Sequence, residues 1–78
     1  MNTKKALLEY FELIEELIQT GASKNLKHQI ITLPTMEKLL ECTITVAIVP
    51  MNSMQTHFQF GWKTKEESFR GTKIITLN

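Results

Sequence analysis

Two runs of alternating apolar and polar residues, joined by a short turn-forming segment, occupy residues 40–62. The apolar parity of the first run consists of Leu40, Cys42, Ile44, Val46 and Ile48. The apolar parity of the second run consists of Phe58, Phe60 and Trp62. Because successive side chains of a strand point to opposite faces, this pattern predicts a β-hairpin with one apolar and one polar face. Residues 50–53, which include a proline and an asparagine, supply the predicted turn.

A helical periodicity covers residues 3–20. Its apolar positions follow the i, i+3, i+4, i+7 spacing of one helix face and are Leu7, Tyr10, Phe11, Ile14, Leu17 and Ile18. Asn2 or Thr3 is the expected N-cap, and Gly21 is expected to end the helix. We expect the apolar face of this helix to cover the apolar face of the hairpin.

The segment between this helix and the hairpin contains weaker signals. Residues 22–27 are polar and are predicted to form a loop. Residues 29–33 are rich in β-branched side chains and predict a short strand that Pro34 ends. Periodicity does not decide whether residues 35–41 form a short helix or the start of a strand.

The segment after the hairpin is predicted to contain one further helix and one further strand. Thr64 is followed three residues later by Glu67, which is the spacing of a capping box. We therefore expect a short helix over residues 65–70, with Phe69 packed inward. Residues 72–77 predict a last strand.

The predicted order is helix, strand, strand, strand, short helix, strand. The connections between strands are too short for parallel crossovers, so the sheet is expected to be mainly antiparallel. The predicted fold class is therefore α+β, a single two-layer domain over residues 1–78. One long N-terminal amphipathic helix packs on a mainly antiparallel sheet of about four strands.

Length and composition restrict the function more than they specify it. The 78 residues carry a net charge of +1, so no overall electrostatic attraction to nucleic acid or anionic lipid is expected. A chain this short buries only about 60% of its unfolded surface, which favours a homodimer as additional stabilisation. Cys42 is the only cysteine, and no apolar run is long enough to span a bilayer. We therefore expect a cytoplasmic protein without membrane association.

The sequence contains no convincing catalytic or metal-binding motif. The potential soft ligands, His28, His57 and Cys42, are widely separated and lack the spacing of known metal sites. Cys42 is on the apolar parity of its strand and is expected to be a small core residue. We predict no metal, no cofactor and no enzymatic activity. A small oligomeric enzyme or enzyme subunit remains an alternative.

A second alternative is a nucleic-acid-binding module that uses the basic segment near residues 63–73. Its cations are Lys63, Lys65, Arg70 and Lys73. Basic residues among aromatic ones can contact phosphates while bases stack on the rings. Trp62, however, shares its parity with Phe58 and Phe60 and is therefore expected at the edge of the core.

The favoured prediction is a protein-interaction module that acts as a regulator, inhibitor or adaptor, a class that includes the accessory proteins of phages and mobile elements. Two candidate surfaces for another protein follow. The first is the polar face of the hairpin, represented by Thr43, Thr45, His57 and Gln59. The second is an acidic ridge on the N-terminal helix formed by Glu9, Glu12 and Glu16. Leu8 and Leu13 flank the apolar stripe of that helix and are further candidates for a contact surface.

Overall fold

A computed structural model describes residues 3–77 as three helices followed by a three-stranded sheet. The elements are α1 (Thr3–Thr20), α2 (Ser23–Ile31), α3 (Leu33–Leu40), β1 (Thr43–Pro50), β2 (Gln55–Lys63) and β3 (Ser68–Thr76). The strand order is β1-β2-β3, and both pairings are antiparallel. The α+β class and the antiparallel sheet are confirmed. The prediction of about four strands is wrong for the described residues, which form three.

Helix α1 forms as its periodicity predicts. Leu7 and Ile14 are fully buried on its apolar face. Gly21 adopts φ +70°, and the N–H groups of Gly21 and Ala22 donate to the carbonyls of Ile18 and Leu17 at 3.2 and 3.0 Å. These two bonds form the Schellman motif that commonly ends a helix. The alternative N-cap Asn2 lies outside the described residues.

Residues 23–40 form two short helices, so the loop predicted over 22–27 and the strand predicted over 29–33 are both wrong. Leu26 of α2 and Leu33 and Leu40 of α3 are partly buried and pack against the core. These contacts of the two helices outweigh the β-propensity of the isoleucine pair before Thr32. Pro34 lies in the first turn of α3, where a missing N–H costs little. Helix α3 also answers the question that periodicity left open for residues 35–41.

The short helix predicted over residues 65–70 does not form. Thr64 Oγ1 accepts the N–H groups of Glu66 and Glu67, as a capping residue would. The Thr64 N–H, however, donates to the Glu67 carbonyl at 2.8 Å and closes a hairpin turn. The chain then pairs with β2 from Ser68 onward, so the last strand begins earlier than predicted. A six-residue helix is too short to be stable by itself, whereas β3 gains a full ladder along β2.

The predicted hairpin forms with its two apolar parities in register. Ile44 pairs with Trp62, Val46 with Phe60 and Ile48 with Phe58. Leu40 and Cys42 precede the strand and pack against the same core. The turn falls at residues 51–54, where Asn52 Oδ1 accepts two backbone N–H groups.

The helices cover one face of the sheet, which we call the covered face. Helix α1 contacts β2 and β3, while α3 contacts β1. Phe58 and Trp62 are almost completely buried between these layers. The Trp62 ring stacks on Phe69 with ring centroids 4.7 Å apart, which confirms its predicted place in the core. Phe69 itself is 36% exposed, so it is only partly buried in the core.

Candidate functional site

The opposite face of the sheet, which we call the open face, has no helical layer over it. Strand register arranges its residues in rows across the three strands. From the β1–β2 turn to the other end, the rows are Val49, His57 and Ile74; Ala47, Gln59 and Thr72; Thr45, Gly61 and Arg70; and Thr43, Lys63 and Ser68. Rows lie about 7 Å apart, because each is two residues from the next along a strand. The predicted surface residues Thr43, Thr45, His57 and Gln59 therefore do share one face.

One end of the open face is apolar. Val49 and Ile74 flank His57 in the same row, and each is 52% exposed. Met51 and Met54 lie in the adjoining turn and are exposed to a similar extent. Large side chains of this kind are normally buried, and here four of them are exposed within one row of the sheet and the turn next to it. We refer to Val49, Ile74, Met51 and Met54 as the apolar end.

The other end of the open face is positively charged. Lys63 and Arg70 are exposed in the last two rows, and we call this pair the cationic end. Together with Thr45 and Gln59 they line a shallow groove of about 670 Å³. No Glu occupies an open-face position in the three described strands.

Gly61 shapes the groove because it has no side chain. A Cβ atom at Gly61 would collide with the Phe69 carbonyl oxygen and would lie 3.5 Å from Arg70 Cγ. The lack of a side chain at this position leaves bare backbone beside Arg70 in the middle of the face.

The four cations of the nucleic-acid alternative do not converge on one surface. Lys63 and Arg70 lie on the open face, whereas Lys65 lies in the β2–β3 turn, where it shares a pocket with Lys63 and with the carboxylates Glu37 and Glu41. Lys73 has covered-face parity, and its Nζ is 3.0 Å from a carboxylate oxygen of Glu15 on α1. The aromatic rings of β2 also face the helices, so His57 is the only ring that the described open-face positions offer for stacking.

The acidic ridge of Glu9, Glu12 and Glu16 is exposed on α1, on the side of the molecule away from the open face. Leu8 and Leu13 lie on opposite flanks of this helix and are both 37% exposed. Leu8 and Glu12 border a groove of about 240 Å³ between α1 and β3, which is floored by phenylalanine rings. The two predicted surfaces are thus separate, with the sheet and α1 between them.

The potential catalytic and metal-binding residues remain apart. No group of three or more potential metal ligands occurs within residues 3–77. Burial, and secondly the nearby Glu37 carboxylate, raise the pKa of the Cys42 thiol above its ordinary value. A raised pKa disfavours the thiolate, which is the nucleophilic form. Burial also raises the pKa of Tyr10, whose hydroxyl donates to the Gln29 carbonyl.

Glu37 has a structural role that the sequence did not indicate. Its Oε2 accepts the Ile44 N–H at 2.6 Å, so this carboxylate covers part of the outer edge of β1. Val49, Ile74 and the two turn methionines were also missed as surface candidates. Val49 continues the polar parity of the first run, which was an available signal. Ile74 was not assignable to a face, because the start of its strand was misplaced.

Comparison of the chain with protein-family models, curated proteins and solved structures finds no match in any of the three. The helices within residues 3–77 are all too short or too polar to cross a membrane. Inference about function therefore depends on the surfaces described above.

Proposed function

We propose that this chain is a protein-interaction module, acting as a regulator, inhibitor or adaptor, and that it binds its partner through the open face. The row of Val49, His57 and Ile74 carries this proposal. It presents two half-exposed aliphatic side chains on a flat, ordered sheet that no other described element covers. Exposed apolar groups that adjoin one another are typical of protein-binding surfaces.

The rest of the open face supports the same function. Thr43, Thr45 and Gln59 carry hydrogen-bonding groups without charge, which are less costly to desolvate than ionised ones. Lys63 and Arg70 border this polar centre. An apolar area with an adjoining polar and charged border is the usual composition of a protein interface.

The test compares two charge-changing variants as affinity baits in a lysate of the source cells. The open-face variant carries Val49→Glu with Ile74→Glu, and the matched control carries Glu9→Lys with Glu16→Lys on the acidic ridge. All four positions are exposed, so both variants are expected to fold. We expect a stoichiometric protein to be retained by the wild type and by the ridge variant, and to be lost from the open-face variant.

Other outcomes of this comparison contradict the proposal. Loss of the protein only from the ridge variant would assign the binding surface to α1. Recovery that nuclease treatment abolishes would favour the nucleic-acid alternative, as would affinity falling steeply with salt. Recovery of no stoichiometric protein by the wild type would contradict an interaction module of this kind.

We also propose that the predicted homodimer pairs through the free edge of β3. The β1 edge is partly covered by Glu37 and ends at Pro50, whereas β3 offers nine residues next to the groove at Leu8. Antiparallel pairing about Thr72 places Arg70 opposite Ile74 of the second copy, so no like charges meet. The N–H of Ile44 points away from β2, and strand alternation then puts the Thr72 N–H on the outer edge of β3.

Sedimentation at several concentrations tests the dimer. We expect the wild type to sediment as a dimer at high micromolar concentration and the Thr72→Pro variant as a monomer, because proline removes a central N–H from the free edge. Thr72→Ala is the matched control and keeps that N–H. A wild type that is monomeric at every concentration contradicts the proposal.

A further inference from the structure

We propose that the partner segment bound by the open face is both apolar and acidic. It places a large apolar side chain on the apolar end and a carboxylate on the cationic end. This inference rests on the proposed function and adds the chemistry of the partner.

The charge of the open face requires the carboxylate. Its fixed charges are Lys63 and Arg70, and all of its other described positions are uncharged or histidine. Glu66 and Glu67 lie beyond the last row, in the β2–β3 turn, and Glu37 and Glu41 share a pocket with Lys63, whereas no described carboxylate lines the groove at Arg70. A partner that covers Arg70 without supplying an anion would leave that cation desolvated and unpaired, which is strongly unfavourable.

Arg70 is the more specific of the two cations. Its planar guanidinium can bind both oxygens of one carboxylate, and it lies in the row of Gly61, where no side chain blocks the approach of a partner. Lys63 lies one row further along and adds attraction without fixing an orientation.

Strand geometry sets the spacing between the two contacts. The row that holds Val49 and the row that holds Arg70 are four residues apart along a strand, which is about 14 Å. An extended partner segment spans this distance in about four residues. In a helical segment, positions seven or eleven residues apart share one face and span about 10.5 and 16.5 Å, which bracket this distance. The partner segment therefore carries its apolar residue and its carboxylate about four residues apart if extended, and about seven or eleven apart if helical.

A second copy of this chain does not fit the open face. In a symmetric face-to-face dimer both copies use the same surface. With the two-fold axis along the strands, each row faces the same row of the second copy, so the two cationic ends meet and their like charges repel. With the axis across the strands, the row order is reversed and the cationic end faces the apolar end instead. Neither arrangement supplies a carboxylate, so the complementary partner is a different surface.

Nucleic acid also fits this face less well than an acidic protein segment. Phosphates would neutralise Lys63 and Arg70, but Val49 and Ile74 would be covered without any favourable contact. Single-stranded nucleic acid binds by stacking its bases on accessible aromatic rings. The aromatic rings of β2 are packed under the helices and offer no such surface. An apolar and acidic polypeptide satisfies both ends of the face at once.

The experiment uses a display library of random peptides about 16 residues long, which is long enough for either separation. Selection on the wild-type protein is followed by affinity measurements on variants. We expect the enriched peptides to combine a large apolar residue with Glu or Asp at a separation of about four residues, or of about seven or eleven residues in a helical peptide. We expect Arg70→Glu to weaken their binding about tenfold or more, as loss of an ion pair and gain of a repulsion imply. Glu16→Lys is the control and leaves the affinity unchanged.

The remaining outcomes separate this inference from the proposed function. Enriched peptides without acidic residues, lost on Val49→Glu with Ile74→Glu but not on Arg70→Glu, overturn the acidic partner and leave the open face as the binding surface. Enriched peptides that bind the open-face variant as tightly as the wild type overturn both. An oligothymidylate that binds more tightly than every selected peptide overturns the inference in favour of nucleic acid. Self-association that persists in the Thr72→Pro variant, whose β3 edge is blocked, and that the further change Arg70→Glu abolishes overturns it in favour of a second copy on the open face.

Discussion

The covered face and the open face are formed by the same three strands, but their side chains have different surroundings. On the covered face of β2, Phe58 and Trp62 are almost fully buried beneath α1. On the open face, Gln59 and the neighbouring Ile74 of β3 remain exposed. The covered face is explained by folding, since its residues fill the space between two layers. The open face contains aliphatic and cationic side chains that folding does not require, and this excess makes it the better candidate for binding.

Replacement of Phe58 by alanine is expected to cause the largest loss of stability among the variants that compare the two faces. The side chain is 1% exposed and contacts the Phe60 ring with centroids 4.9 Å apart. Removing it loses the burial of a large side chain and leaves a cavity, with an expected loss of about 3–5 kcal/mol of unfolding free energy. Small domains have little more than this in total, so the variant is expected to be largely unfolded. Urea unfolding followed by circular dichroism measures the loss.

Gln59→Ala is the matched control for Phe58→Ala, because it removes a side chain from the next position on the opposite face. We expect its free energy of unfolding to stay within about 0.5 kcal/mol of the wild type. Comparable losses at the two positions would show that the two faces do not differ in the way proposed.

A smaller effect is expected when a side chain is added at Gly71. A Cβ atom there would lie 2.6 Å from two atoms of the Phe60 ring, which is too close without movement of the ring or the strand. Gly71→Ala is expected to lose about 1–3 kcal/mol by overpacking the covered face. Thr72→Ala, one residue further and on the open face, is expected to change stability by less than about 0.5 kcal/mol. Thermal unfolding measures the melting temperatures of both variants. Equal melting temperatures would contradict the expected difference in stability between Gly71→Ala and Thr72→Ala.

The strongly periodic parts of this fold were predictable from the sequence. In α1 the apolar spacing and Gly21 agree with the observed packing and with the Schellman motif. In the hairpin, alternation along both strands sets the register that brings Ile44 opposite Trp62. Local preference and tertiary packing favour the same structure in both elements, and such agreement makes a pattern reliable.

The remaining elements depend on contacts between distant residues. The isoleucine pair that ends α2 favours a strand locally, but the segment is helical, and Leu26 before it and Leu33 after it pack against the core. Thr64 makes the same local bonds at a helix start or in a turn, and pairing with β2 decides between them. The candidate site was predicted only in part for the same reason. Its polar residues lie on the predicted hairpin, whereas Ile74 and Arg70 reach the face through β3.

The ion pair between Lys73 and Glu15 links β3 to α1 at the border of the covered face. Its Nζ–O distance is 3.0 Å, and the two side chains are 50% and 30% exposed. Partly exposed pairs contribute little because water and salt screen them. A double-mutant cycle with Lys73→Met and Glu15→Gln is expected to give a coupling of about 0.2–1 kcal/mol that decreases as salt is added. A salt-independent coupling well above this range would indicate a buried pair and a larger covered face.

The smallest effect on stability is expected at the apolar end of the open face. Val49→Thr and Ile74→Thr keep β-branched side chains, which suit a strand, and replace half-exposed aliphatic groups with polar ones. Each is expected to change the free energy of unfolding by no more than about 0.5 kcal/mol. Binding of the open-face partner is nevertheless expected to weaken with both, because the apolar contact is lost. Chemical denaturation and titration of the selected peptides measure the two quantities on the same samples. Unchanged binding with lowered stability would mean that Val49 and Ile74 serve the fold, and the contrast between the two faces would then be one of degree.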